Sequence, residues 1–210
     1  MADVGTPLYR MSVVFLKALF RLYNRWEVTG RENVPETGGV LLIANHTSYA
    51  DPPVIGTACP RPVNFMAKAE LFAVPILSAF IRRTHAFPVR RGAADRSALR
   101  RGMRLLDDGE VLLIFPEGQR SQDGRLMEFE AGAAFLALAA SAAPTTAVGM
   151  TDRVLPRGKP VLLPAKLRVG FGPPVDLSAL RRQRRSREVL RQAAEEMHGA
   201  LSALLPPERR

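Results

Sequence analysis

With 210 residues, 47% of them hydrophobic and 24% charged, the chain suits one folded domain that buries roughly 70% of its unfolded surface, and wholesale disorder is excluded. Thirty Lys and Arg against twenty Asp and Glu leave a net charge of +10, which implies an anionic partner, either nucleic acid or an acidic membrane face. The basic clusters at Arg82-Arg83 and across residues 181–187 carry no interleaved aromatics on which bases could stack, so phospholipid is favoured over nucleic acid. Cys59 is the only cysteine, which excludes a disulfide framework and a thiolate metal cluster and fits a reducing, cytoplasmic setting. Asp3 stands where a secretory signal would be basic, so export is not expected. A membrane-spanning helix needs about 20 mostly apolar residues. Residues 11–22 are interrupted by Lys17 and Arg21, 71–81 contain Pro75, and 131–143 end at Pro144. The sequence predicts a protein lying on a membrane without crossing it.

In chain order, residues 7–26 read as a basic amphipathic helix, with Val13, Phe15, Leu16, Leu19, Phe20 and Leu22 apolar and Arg10, Lys17, Arg21 and Arg25 cationic. Two roles fit it, an interfacial anchor or a helix packed on the core. Residues 40–44 form a continuously apolar run after Gly38-Gly39, as a buried strand requires, and residues 45–51 follow as its polar loop. The same unit recurs at 111–115, after an Asp107-Asp108-Gly109 turn and before a second polar loop at 116–124. Residues 87–92 form a strand-like stub ending in the cations Arg90 and Arg91. Helices are expected over 95–106, over the Ala-rich stretch 131–143, and as one long closing helix within 176–205. Alternating strands and helices predict one α/β domain with a mixed, mostly parallel sheet flanked by helices, arranged as an amphipathic segment 1–28 and a main domain 29–210.

His46 and Asp51 stand in a strand-end loop, where ligand-facing groups of open α/β sheets collect. An imidazole takes a proton near neutral pH, and a carboxylate on its other nitrogen fixes the tautomer. Asp51 before Pro52 also reads as a helix cap, and His46 as a structural hydrogen-bonder. Thr47 and Ser48 are weak candidates for a nucleophile, since no nucleophile-elbow glycines flank them. In the second loop, Gly118 permits close backbone approach and Arg120 can fork onto phosphate oxygens.

Three blocks carry a resemblance. Asn45-His46-Thr47-Ser48-Tyr49-Ala50-Asp51, Phe65-Met66-Ala67-Lys68-Ala69-Glu70-Leu71-Phe72 and Phe115-Pro116-Glu117-Gly118-Gln119-Arg120-Ser121 stand in the order and spacing of the lysophospholipid and glycerolipid acyltransferase family. The chain resembles that family, typified by bacterial 1-acyl-sn-glycerol-3-phosphate acyltransferase, over most of its length. The resemblance implies a peripheral enzyme on the inner face of the cell membrane that makes phosphatidate. It implies an acyl-CoA or acyl carrier protein donor, a membrane-lipid acceptor, no nucleic acid, and neither cofactor nor metal. His46 would deprotonate the acceptor hydroxyl without an acyl-enzyme, and Asp51 would orient it. Glu117, Gly118, Arg120 and Arg91 would bind the acceptor.

Three positions depart from the family pattern. Arg90 replaces an acid, Glu130 replaces a base, and the usual Val-Pro-Val is altered around residues 145–148. The sign changes at Arg90 and Glu130 predict a swapped ion pair across the site. Alternatives to phosphatidate synthesis are another lysolipid, a glycolipid or glycerol 3-phosphate as acceptor. From other classes, the alternatives are a basic nucleic-acid-binding protein or a metal hydrolase using His46, His85 and acidic residues.

Overall fold

A computed structural model describes residues 7–90, 95–156 and 161–210. The sheet has seven strands: β1 (Glu27–Thr29), β2 (Gly39–Ala44), β3 (Val63–Lys68), β4 (Ala86–Val89), β5 (Val111–Ile114), β6 (Ala142–Met150) and β7 (Arg168–Pro174). Their spatial order is β1-β7-β6-β2-β5-β3-β4, with every pairing parallel except β6 with β7. The α/β architecture expected from the sequence is therefore present.

β2 and β5 pair in register and lie at the centre, which is why both are apolar on every residue. Their side chains alternate between two cores. Leu41, Ile43, Leu112 and Ile114 point to one face of the sheet, and Val40, Leu42, Val111 and Leu113 to the other. The first face is covered by α4 (Arg96–Asp107), α5 (Ala131–Ala139) and α7 (Arg187–Leu204), through residues such as Leu106, Leu136 and Met197. The second is covered by α2 (Asp51–Ala58) and by α1 (Pro7–Asn24), which contributes Phe20 with support from Leu16 and Leu19. α3 (Pro75–Arg83) links β3 to β4. Gly39 is required by close approach, since a Cβ there would lie 2.1 Å from the Leu106 carbonyl oxygen.

Two expected boundaries moved. The Ala-rich helix stops at Ala139, and the chain enters β6 at Ala142, because this segment pairs along the whole of β2. A small-residue run has weak local preference, and strand pairing overrides it. The closing helix is broken into α6 (Ser178–Arg181) and α7. The Arg181 guanidinium turns inward onto the carbonyls of Ala137 and Ala142, and α7 restarts where the Ser186 hydroxyl accepts from the Val189 amide. No helix among the described residues is long and apolar enough to cross a membrane.

The first helix packs on the core along one face and leaves apolar side chains exposed on the other. Phe20 is 2% exposed in the core, whereas Phe15 is 66% exposed on the outer side. Phe20→Ala is expected to cost about 3 kcal/mol or more, and Phe15→Ala less than about 0.5 kcal/mol, when stability is measured by urea denaturation.

Candidate active site

The site is built where three adjacent strands end. β6, β2 and β5 are neighbours and parallel, so the segments that follow them converge on one edge of the sheet. The His46 Nδ1 lies 2.8 Å from the Asp51 Oδ2, and both side chains are buried. The same Oδ2 accepts from the amides of Thr47 at 2.7 Å and Ser48 at 2.8 Å, and the Thr151 hydroxyl donates to Oδ1. Asp51 thus turns back onto the loop that precedes it and is not an N-cap; that position belongs to Ala50, which offers no side-chain bond. With Nδ1 committed to a carboxylate, the imidazole holds its proton there and presents Nε2 as an acceptor. The ring lies against Phe115, with centroids 4.1 Å apart, and this fixes its plane. The Ser48 hydroxyl donates to the Leu155 carbonyl and accepts from the Ala50 amide, which ties Ser48 into the turn.

The second loop holds the first by its backbone. One carboxylate oxygen of Glu117 accepts from the His46 amide at 2.7 Å and the other from the Met127 amide at 3.0 Å, while the Ser121 amide donates to the His46 carbonyl. Burial pushes the Glu117 carboxyl up to about 7; the two amide bonds oppose that shift and the charge of Asp51 adds to it. Glu117, expected against the acceptor, is therefore occupied in positioning the His46 backbone. Gly118 has φ near +67°, and its amide closes a turn onto the Phe115 carbonyl. A Cβ on Gly118 would lie 2.1 Å from a carboxylate oxygen of Glu130. The Arg120 guanidinium stacks 3.7 Å above the ring of Tyr49, three residues beyond His46. A cation resting over a ring face still has N–H groups to offer an anion.

Arg91 lies outside the described residues. The swapped ion pair does not form, since no ion pair joins Arg90 to Glu130. Arg90 stands beyond β4, an edge strand that β3 separates from β5, and its amide donates to Asp95; the Glu130 amide donates to Pro116 after β5. Arg90 instead lines a cavity of about 550 Å³ with Ala69, Phe72, Pro88 and Asp95, beyond the carboxyl ends of β3 and β4. His46 and Asp51 are not among its lining residues. His85, offered as a metal ligand with His46, precedes β4 at the opposite end of the sheet and stacks on Tyr9.

Thr151 and Phe115 are the site residues that sequence reasoning left unassigned. Phe115 opens a recognisable block, whereas Thr151 lies 100 residues from Asp51 with no local signal.

A family model described as Acyltransferase matches residues 25–156. A Bacillus subtilis 1-acyl-sn-glycerol-3-phosphate acyltransferase is 31% identical over 117 residues, covering 55% of this chain and 59% of that protein. A Pseudomonas aeruginosa lyso-ornithine lipid O-acyltransferase is 35% identical over 112 residues, covering 49% and 43%. The aligned part of the chain thus spans less than two thirds of either protein. The crystal structure of the 1-acyl-sn-glycerophosphate acyltransferase PlsC from Thermotoga maritima superposes with a TM-score of 0.74 at 27% identity, covering 93% of this chain and 77% of that one.

A raised carboxyl pKa means that the fold favours the neutral form. The contribution of Glu117 is therefore complete below its ordinary pKa of 4.5 and is lost as the pH climbs towards about 7. Relative to Glu117→Gln, the wild-type protein should lose on the order of 2 to 3 kcal/mol across that window, as read by urea denaturation at a series of pH values.

Proposed function

This chain belongs to the acyltransferase family, and from that premise we propose that it transfers a fatty acyl chain from acyl-CoA or acyl carrier protein to the free hydroxyl of 1-acyl-sn-glycerol 3-phosphate, giving phosphatidate. The observation that carries this reading is the buried His46–Asp51 pair, with Nε2 left as a base. Nε2 removes the hydroxyl proton as the oxygen attacks the thioester carbonyl, and Asp51 stabilises the imidazolium that forms. The tetrahedral intermediate then expels the thiolate, which takes its proton from His46, so ester, free thiol and neutral imidazole result. The chain acts without an acyl-enzyme, a reading supported by the Ser48 hydroxyl being bonded within its own loop and the Thr47 hydroxyl facing that of Thr151.

Arg120 holds the acceptor phosphate, and Arg91 is assigned to the same role by the family's pattern. Glu117 and Gly118 shape the loop that presents Arg120. The enzyme works on the inner face of the cell membrane. The first helix lies in the interface there, with Met11, Val14, Phe15 and Leu22 outward.

One observation favours a second acceptor. The Glu130 carboxylate lies against Gly118 in the anion-binding loop, where the family's pattern has a base, and it suits a lysolipid whose head group carries an ammonium. The name of the Pseudomonas relative is consistent with such an acceptor. The deciding experiment incubates the purified protein with oleoyl-CoA or palmitoyl-acyl carrier protein and a panel of lysolipids, read by mass spectrometry. Phosphatidate as the main product supports the first reading, and acylation of amine-bearing lysolipids alone supports the second. Folded protein in lipid that acylates nothing refutes both.

His46→Ala and Asp51→Ala should each lower kcat about a hundredfold or more without unfolding the protein, and the double variant should be little worse than either. Steady-state rates with circular dichroism as control check this. Arg120→Ala should raise KM for phosphate-bearing acceptors about tenfold and leave KM for the donor nearly unchanged, as initial-rate titrations of each substrate would show.

A further inference from the structure

α3 is a nine-residue helix that buries none of its side chains. Ile76 is 86% exposed and Phe80 47%, and with Leu77 they occupy one side of the helix, as the i, i+4 spacing dictates. Val74 adds a further exposed apolar side chain at the helix start. At the other end the helix closes on Arg82 and Arg83, both exposed, with Arg82 lying over the Phe72 ring. Contiguous apolar surface beside cations has a cost in water that an isolated exposed leucine does not, and it marks a surface used for contact.

Topology says where this surface faces. The connections β2-α2-β3 and β3-α3-β4 both step in the same direction along the sheet, and right-handed crossovers place α2 and α3 on the same face. That face also carries α1, whose outer stripe is Met11, Val14, Phe15 and Leu22. The ring of Tyr9 in α1 stacks on His85, two residues beyond the end of α3, which ties the two helices together. Three basic residues of α1, Arg10, Lys17 and Arg21, lie along its apolar stripe. The pattern on both helices is apolar side chains at the centre with cations at the margin, which complements an anionic bilayer and not an acidic protein surface.

We propose that α3 is a second membrane-contacting helix, which lies with α1 in the surface of an anionic lipid bilayer and seats the carboxyl ends of β3 and β4 at the headgroup level. The inference rests on the reading that the enzyme draws its acceptor from a membrane. α3 follows the short turn at residues 69–73, and Ala69, Phe72 and Ala73 of that turn line the cavity that Arg90 borders. Lipid contact at α3 therefore brings bilayer up to that cavity.

The test is co-sedimentation with vesicles of phosphatidylcholine doped with phosphatidylglycerol, using the full chain and the double variant Ile76→Asp/Phe80→Asp. Binding should fall at least about tenfold, with an unchanged melting curve, and acylation in detergent micelles should persist because neither residue belongs to the catalytic loops. Wild-type affinity in a folded double variant would overturn the proposal. Independently of any variant, amides of residues 74–83 in the wild-type protein should gain hydrogen-exchange protection on vesicles, and unchanged exchange there would also overturn it. A wild-type dimer in lipid-free buffer that the double variant dissociates would assign the face to a second copy of the chain and overturn the lipid reading. If vesicle binding depends on α3 while no lysolipid is acylated in micelles, the proposed chemistry fails and the membrane contact stands.

Discussion

Everything at the site depends on keeping the buried Asp51 carboxylate satisfied. A carboxylate removed from water is costly unless its lone pairs are filled, and the chain fills them with two backbone amides, an imidazole N–H and a threonine hydroxyl. The two amides fix the turn at residues 47–48, and that turn fixes where His46 stands. The hydroxyl comes from Thr151, past the end of β6, so the loop is also tied to the neighbouring strand. Losing any one of these donors would leave a buried charge under-paired. The geometry of the base is in this sense a by-product of charge burial.

The sheet makes that solution possible by placing β2 between β6 and β5. β2 leads to the histidine and, at the start of α2, the aspartate; β6 leads to the threonine, and β5 leads to the ring of Phe115 and the carboxyl of Glu117. The in-register pairing of Val40–Val111 through Ile43–Ile114 sets the height at which the two loops meet, so that Glu117 and Ser121 take up both backbone polar groups of His46. Core packing on both faces of β2 then holds the site rigid, as a proton transfer requires. On the proposed reading, a base positioned in this way serves whichever hydroxyl the second loop presents. Glu130 lies against Gly118 in the second loop, apart from the hydrogen bonds that hold His46 and Asp51.

Much of this was legible in the sequence because it is encoded locally. The runs at 40–44 and 111–114 are strands for the reason they are apolar, and His46, Asp51 and Arg120 stand in blocks whose order and spacing resemble those of one family. What stayed hidden is encoded by partners distant in sequence. β6 looked like a helix end because its alanines carry little preference of their own until β2 offers hydrogen bonds. Thr151 has no neighbour that marks it. Arg90 and Glu130 invited pairing because their signs are complementary, but sign says nothing of the strand that lies between them. The resemblance assigns Glu117 to the acceptor, and the two backbone amides that its carboxylate accepts from lie one on each loop, a long-range arrangement that no local pattern announces.

The central claim is that His46 activates the acceptor directly, and intact-protein mass spectrometry tests it most directly. Oleoyl-CoA is mixed with the protein in the presence and absence of 1-oleoyl-sn-glycerol 3-phosphate, and protein and lipid are sampled together over the first turnovers. The account predicts an unmodified protein mass at every time point, with acylated lipid and free CoA appearing only when acceptor is present. A protein mass raised by one oleoyl group, formed from donor alone and discharged by acceptor, would contradict it.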